Sequence, residues 1–248
     1  MIISTKSGKI CGIEENGMLA FKGIPFAKAP IGRLRLKPPV PVEPWKGIVR
    51  AVEFGNRSLQ TVEQGDQDNI SFSEDCLNLN VWTPAIDNKK RPVIFYIHGG
   101  GHVSGGNWDM FIDGPHLIRG REAVMVAANY RLGALGYLYL GDILGEEYKD
   151  SGNCGLLDQI LALQWIKDNI ATFGGDPDMV VLMGQSAGGK SVANLMVTPL
   201  AKGLFHRAII QSGSIQCIRD TQTARNITKL LLDRLGISNN PEQILVKR

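Results

Sequence analysis

The sequence is short of several things that would otherwise fix its class. Only four cysteines (Cys11, Cys76, Cys154 and Cys217) and four histidines are spread through 248 residues. They form no Cys-x-x-Cys pair and no Cys/His spacing of the kind that holds zinc, so no metal site is expected. No apolar run approaches the roughly 18 residues that a membrane crossing needs. Residues 1–6 lack the basic, apolar and small-residue regions of a secretion signal. A membrane is therefore not an expected partner, and the expected location is cytoplasmic with the thiols reduced. The sequons at Asn56, Asn69 and Asn226 read as coincidental for the same reason. An excess of one charge is lacking too. The chain has 27 Lys and Arg against 24 Asp and Glu, a net charge of +3, too small and too scattered to point to nucleic acid. Internal repeats and low-complexity linkers are absent.

What is present is ordinary globular composition, 44% hydrophobic and 21% charged, in a chain long enough to bury a core without a staple. Glycine alone is in excess, at 29 residues against the usual figure of about 7%.

Residues 1–30 read as short antiparallel strands with turns at Lys6-Ser7-Gly8 and Glu15-Asn16-Gly17, the latter carrying the Asn-Gly hairpin signal. Prolines 30, 38, 39, 41 and 44 then mark an irregular wrap ending near Trp45. From about residue 91 the pattern changes. Residues 93–97 and 123–127 are continuous apolar runs of strand length, as expected of strands buried on both faces. Leu156, Leu157, Ile160, Leu161, Leu163, Ile166 and Ile170 recur at helical spacing and Gly174 follows as a stop. Residues 180–183 form a further strand leading into a helix that ends near Thr198, and residues 208–210 another. A last helix spans about residues 221–235, with Ala224, Ile227, Leu231 and Leu235 on one face and Gly236 as its cap. Strands alternating with helices imply an α/β fold with a mostly parallel, doubly wound sheet and a small N-terminal antiparallel sheet.

Gly184-Gln185-Ser186-Ala187-Gly188 matches the G-x-S-x-G nucleophile elbow, and a buried strand runs into it while a helix runs out. Such a turn needs strained backbone angles and small neighbours. It lifts the hydroxyl above the sheet at a helix N-terminus, where positive partial charge favours an oxyanion. The same stretch, residues 184–191, also satisfies G-x-x-x-x-G-K-[ST], the phosphate-cradling loop. That reading wants an acidic residue at another strand end to hold Mg²⁺. The strands instead end in Ile97-His98, Ala128-Asn129 and Ile210-Gln211, which disfavours it. A second element, His98-Gly99-Gly100-Gly101, follows the strand at 93–97. Glycines there let backbone N–H groups approach a developing oxyanion, and Ala187 would supply a further donor. Together these point to acyl transfer from a small-molecule carboxylic ester, with no cofactor.

The chain also resembles the type-B carboxylesterase family. The carriers are Phe173-Gly174-Gly175-Asp176-Pro177 followed by residues 180–189, and Glu74-Asp75-Cys76-Leu77-Asn78-Leu79-Asn80-Val81-Trp82-Thr83-Pro84. Residues 21–27, 129–133 and 155–159 are similar to the family as well. The resemblance implies an α/β-hydrolase fold, Ser186 as the nucleophile, and Gly100, Gly101 and Ala187 as the oxyanion hole. It implies that Arg35 with Glu74, and Arg131 with Asp158, are buried structural ion pairs. Four positions depart from the family pattern. Gln185 stands where a buried glutamate is usual, His102 where an aromatic follows the glycines, and Asn78 where an aromatic or threonine is usual. Ser58 stands about where a cysteine would bridge to Cys76.

In this fold the triad runs Ser, then Asp or Glu, then His. The family's acid and histidine lie much later, in a chain about twice this length. After Ser186 only His206 remains, in a Leu204-Phe205-His206-Arg207-Ala208 setting similar to a structural motif of the family. His98 belongs to the glycine loop, where it would brace the loop by hydrogen bonds. His116 reads as surface. Asp220 and Asp233 read as solvated. The base is not optional, because a serine hydroxyl is a poor nucleophile until a neighbour takes its proton. His102 and His206 are the candidates within the chain, His102 as an improvised base. The expectation is one incomplete domain over 1–248, truncated before the last strands: residues 1–90 form the hairpins and wrap, and 91–248 the core sheet with the elbow. The strand at 208–210 would be an uncovered edge. A second polypeptide would supply the rest; the alternative is an inactive remnant or a binding module.

Overall fold

The structure, a computed structural model, describes residues 1–61, 70–108, 117–215 and 218–246. Cys217, His116 and the sequon at Asn69 lie outside the described residues. The first hairpin, β1 (Ile2–Ser4) and β2 (Lys9–Cys11), takes β5 (Ile48–Arg50) as a third strand to make a small sheet. The second hairpin, β3 (Ile13–Glu15) and β4 (Met18–Pro25), leaves that sheet and joins the main one. A two-residue pair, β6 (Arg57–Ser58) with β7 (Phe72–Ser73), stands apart.

Seven strands form the main sheet in the order β12-β11-β9-β10-β8-β4-β3. These are β8 (Asn78–Thr83), β9 (Arg91–Ile97), β10 (Val124–Ala128), β11 (Gly175–Gln185) and β12 (Arg207–Gln211) with the second hairpin. β12, β11, β9 and β10 run parallel, and β8, β4 and β3 continue antiparallel. Successive side chains of a strand point to opposite faces, and both faces are covered here. Val124 and Val126 join one apolar cluster with Phe95, Leu163, Ile166 and Phe173, while Met125 and Ala127 join another with Tyr96, Trp82 and Ile118. That two-sided burial is why β10 reads as an unbroken apolar run.

The helices are α1 (Gly133–Tyr137), α2 (Gly141–Leu144), α3 (Cys154–Asn169), α4 (Ala187–Val197) and α5 (Thr221–Leu235). Two of them sit differently from what spacing suggested. In α3 the buried face is Asp158, Gln159, Ala162, Leu163, Trp165, Ile166 and Asn169, while Leu156, Leu157, Ile160 and Leu161 are only half-buried. Partners explain this: Asp158 receives Arg131, and Gln159 reaches Ser191. In α5 Leu231 and Leu235 pack inward as expected, but Thr228 and Leu232 are the buried positions and Ile227 is exposed, so the inward face is shifted toward Thr228 and Leu232. The Thr228 hydroxyl donates to Tyr139 O at 2.7 Å, which fixes that rotation. Gly236 caps α5 in the left-handed region at φ 69°, as expected.

The expected ion pairs are both present, but only Arg131–Asp158 is buried; Arg35 and Glu74 are half-buried. Arg131 grips Asp158 through Nε and Nη2 at 2.9 and 2.7 Å, with its backbone N–H on the same carboxylate. Arg35 Nε meets Glu74 at 2.8 Å. Ser58 donates to Tyr130 O at 2.6 Å and also hydrogen-bonds the Cys76 thiol, so it fills the place beside Cys76 where a bridge would lie. Burial pushes that thiol up to about 12, and Cys11, Cys76 and Cys154 are unbridged. Among the described residues no helix is long and apolar enough to cross a membrane.

Candidate active site

β11 and α4 are separated by a single residue, Ser186, held at φ 54° and ψ −117°. An L-residue adopts such angles only when its surroundings enforce them. The enforcement is backbone crowding. A Cβ on Gly188 would lie 2.0 Å from Ile97 O, and one on Gly184 would lie 2.5 Å from Gly188 O. Here β9, β11 and α4 meet with no side chain between them. Ser186 N–H donates to Gln211 O at 2.8 Å, tying the turn to β12 as well. Ala187, the first helical residue, is buried, and Ser186 is half-buried.

This geometry removes the phosphate-loop reading of residues 184–191. A cradle needs several non-helical residues between strand and helix, but Ala187 onward is helical and Lys190 N–H already bonds Ser186 O at 3.0 Å. The neighbouring strand ends supply no carboxylate. His98, Asn129 and Ser212 follow β9, β10 and β12, and Asn129 Oδ1 accepts from the Asn107 backbone at 2.8 Å.

The glycine run lies directly against this turn. A Cβ on Gly99 would sit 2.9 Å from Gln185 O and 3.4 Å from Ser186 Cβ. Gly100 and Gly101 take φ of 91° and 64°, and Gly100 O accepts from the N–H groups of Val103 and Ser104 at 3.0 and 2.9 Å. So the structure brings Ser186, Ala187 and the 99–101 run to one corner. Gln185 is exposed, not in a buried pocket, and its Oε1 lies against Gly99, where a Cβ would come within 2.8 Å of it.

The histidines divide sharply. His98 is buried, stacked on Tyr130 at 4.3 Å between ring centroids, with Nδ1 2.9 Å from Gly99 O. Tyr130 donates to His98 O at 2.9 Å, and desolvation lowers the imidazole to about 4. It braces the loop as a neutral group. His206 accepts from Val180 N–H at Nδ1, 3.2 Å away. Val180 is six residues before Ser186 on the same strand, roughly 20 Å at strand rise, so His206 cannot serve Ser186 within this chain. His102 is half-buried at φ 62°, and its Nε2 lies 3.2 Å from Ser191 Oγ. Burial lowers its affinity for a proton first, and the Lys190 charge lowers it further, against an opposing hydrogen bond to the Ala187 backbone. Its ring is thus engaged with Ser191. Asp220 caps α5 through Thr223 N–H at 2.7 Å. Among the described residues there is no group of three His, Cys, Asp or Glu side chains fit for a metal.

Two supports of the corner escaped sequence reasoning. Gln60 holds Gly105 from both sides, Oε1 accepting from its N–H at 2.8 Å and Nε2 donating to its carbonyl at 3.0 Å. Ser191 receives Gln159 Nε2 at 3.1 Å. Neither partner is adjacent in sequence. Only the position of Ser191, one turn beyond Ala187 on α4, could have signalled it.

A mixed sheet, a one-residue strand-to-helix elbow and an abutting glycine loop define an α/β-hydrolase fold. The comparisons narrow it. The sequence model of the carboxylesterase family matches residues 1–247, and the chain belongs to that family. It is 42% identical to para-nitrobenzyl esterase of Bacillus subtilis, over 96% of this chain and 48% of that protein. It is 36% identical to acetylcholinesterase of Leptinotarsa decemlineata, over 99% and 44%. Among solved structures, a Geobacillus stearothermophilus carboxylesterase superposes with a TM-score of 0.92 at 43% identity, over 98% of this chain and 50% of that one. The chain therefore spans about half the length of the relatives it matches.

Proposed function

We propose that this chain is the nucleophile-bearing half of a carboxylic ester hydrolase. Ser186 attacks the ester carbonyl while the N–H groups of Gly100, Gly101 and Ala187 hold the oxyanion. The Oγ–carbon bond forms as the hydroxyl proton passes to a base. The carbon–alkoxide bond then breaks, the alcohol leaves with that proton, and water releases the acid from the acyl-serine. The observation that carries this reading is the left-handed Ser186 at a one-residue elbow, with the glycine run packed on it.

The base comes from outside the described residues. His98 is buried and its basicity is low, His102 faces Ser191, and His206 is a strand's length away. A second polypeptide carrying the acid and the histidine fits the exposed edge strand β12, where Ile209 and Ile210 are 44% and 40% exposed. The same arrangement of histidines favours a second reading: a chain without turnover of its own, an inactive remnant or a binding module on the esterase fold. Hydrolysis of a short-chain p-nitrophenyl ester by the purified chain, with Ser186→Ala beside it, separates them. Activity lost in the variant supports the esterase with its base present. Equal background in both means that this chain alone does not turn over, and complementation by a partner polypeptide becomes the decisive assay.

A further inference from the structure

The geometry points to His102 as a positioning residue that clamps the glycine loop onto the first turns of α4, through Ser191. This rests on the reading of Gly100, Gly101 and Ala187 as one oxyanion hole, and it concerns how the two halves of that hole are kept aligned. Gly100 and Gly101 come from the loop after β9, whereas Ala187 comes from α4. Nothing covalent fixes their relative position within 80 residues of chain. His102 directly follows the loop glycines, and its Nε2 lies 3.2 Å from Ser191 Oγ, one helical turn beyond Ala187.

The polarity of the contact follows from its third member. Gln159 Nε2 donates to Ser191 Oγ at 3.1 Å, so the single hydroxyl proton of Ser191 is free to point at His102 Nε2. His102 then accepts at Nε2 and carries its proton on Nδ1, a neutral tautomer. The backbone of the same residue is held too, since Gly133 N–H donates to His102 O at 2.8 Å. Tyr137 packs against the ring at 5.0 Å, and Tyr130 meets it edge-on at 6.3 Å. The charged and titratable groups that act on the ring are Lys190 on α4 and His98 in the loop, and Lys149, Arg219 and Asp220 line the same cavity. Protonation of His102 would reverse the polarity of the contact, Nε2–H then donating to the second lone pair of Ser191 Oγ, and would place a cation beside Lys190. The loop is thus held by a directional bond as well as by ring packing.

The test uses the full chain labelled with ¹⁵N. Long-range ¹H–¹⁵N spectra should show His102 protonated at Nδ1 at neutral pH, with a midpoint below that of a free imidazole. Ser191→Ala should raise that midpoint and redistribute the tautomers, and Ser191→Thr, which keeps the hydroxyl, should restore both. In Ser191→Ala the amides of Val103, Ser104 and Gly133 should exchange with solvent about tenfold faster, as expected for one lost hydrogen bond, while those of Leu79 and Val81 in β8 should not change. An Nε2-protonated His102 in the unmutated chain overturns the proposal, and so does unchanged exchange at those three amides. Because these readouts need no turnover, they are distinct from the ester assay. A clamp seen by exchange without Ser186-dependent hydrolysis, even after complementation by a partner polypeptide, refutes the enzymatic reading and leaves the clamp as a structural bond. Where hydrolysis is present, Ser191→Ala should lower kcat and leave KM unchanged.

Discussion

Ser186→Gly should make the protein more stable, although glycine at most positions does the opposite. The native angles of Ser186, φ 54° and ψ −117°, cost an L-residue about 1–3 kcal/mol. Glycine has no Cβ and takes these angles freely, but its unfolded chain is looser, which costs about 0.5–1 kcal/mol. The balance is a gain of about 1 kcal/mol for Ser186→Gly over Ser186→Ala. Alanine is the proper reference because it removes the hydroxyl and keeps the Cβ. The control is Gln164, exposed on α3, where glycine should be about 1 kcal/mol worse than alanine. Equilibrium urea unfolding followed by tryptophan fluorescence gives the four midpoints. A Ser186→Gly protein less stable than Ser186→Ala, in the manner of Gln164, would show that the elbow is unstrained and would remove the main support for the nucleophile assignment.

Three further outcomes are expected. Asp158→Ala strands Arg131 in the core and should cost about 3–5 kcal/mol by the same unfolding assay, whereas Arg131→Met with Asp158→Leu should recover much of it. His98, neutral and lowered to about 4, should make stability fall as pH drops from 6.5 toward 4, at about 1.4 kcal/mol per pH unit, because the unfolded chain takes up that proton first. His98→Asn should flatten that limb in thermal melts. The thiols of Cys76 and Cys154, both raised to about 12 by burial, should resist iodoacetamide at pH 8 in the native protein and react in urea, as peptide mapping would show. Their sign is the reverse of the histidine's: stability should decline from about pH 9 upward, where the unfolded chain loses protons that the native chain keeps.

Much of this was legible beforehand where the chain's own period or crowding decides the outcome. The elbow announces itself through Gly184 and Gly188, whose hydrogens are the only side groups that fit. The strands at β9 and β10 announce themselves through two-sided burial. Sequence reasoning failed where a distant polar partner decides. The inward face of α3 carries Asp158 and Gln159 because Arg131 and Ser191 wait for them, and no spacing of leucines reveals that. The twist of α5 depends on one hydroxyl reaching Tyr139 O. His102 invited a reading as a base from its nearness to the glycines in sequence; its actual partner comes from the next turn of α4.

The order of the strands also sets a timetable for synthesis. β10 sits between β8 and β9, yet it is made after both. The end of β10 follows the end of β9 by 31 residues, which at about 5–20 residues per second takes a ribosome roughly 2–6 seconds. For that interval β8 and β9 must leave a strand's width open between them, with the glycine run already at the tip of β9. Substitutions that stabilise direct pairing of β8 with β9 would then lower the yield of native chains made on ribosomes, while leaving the finished protein's equilibrium stability unharmed.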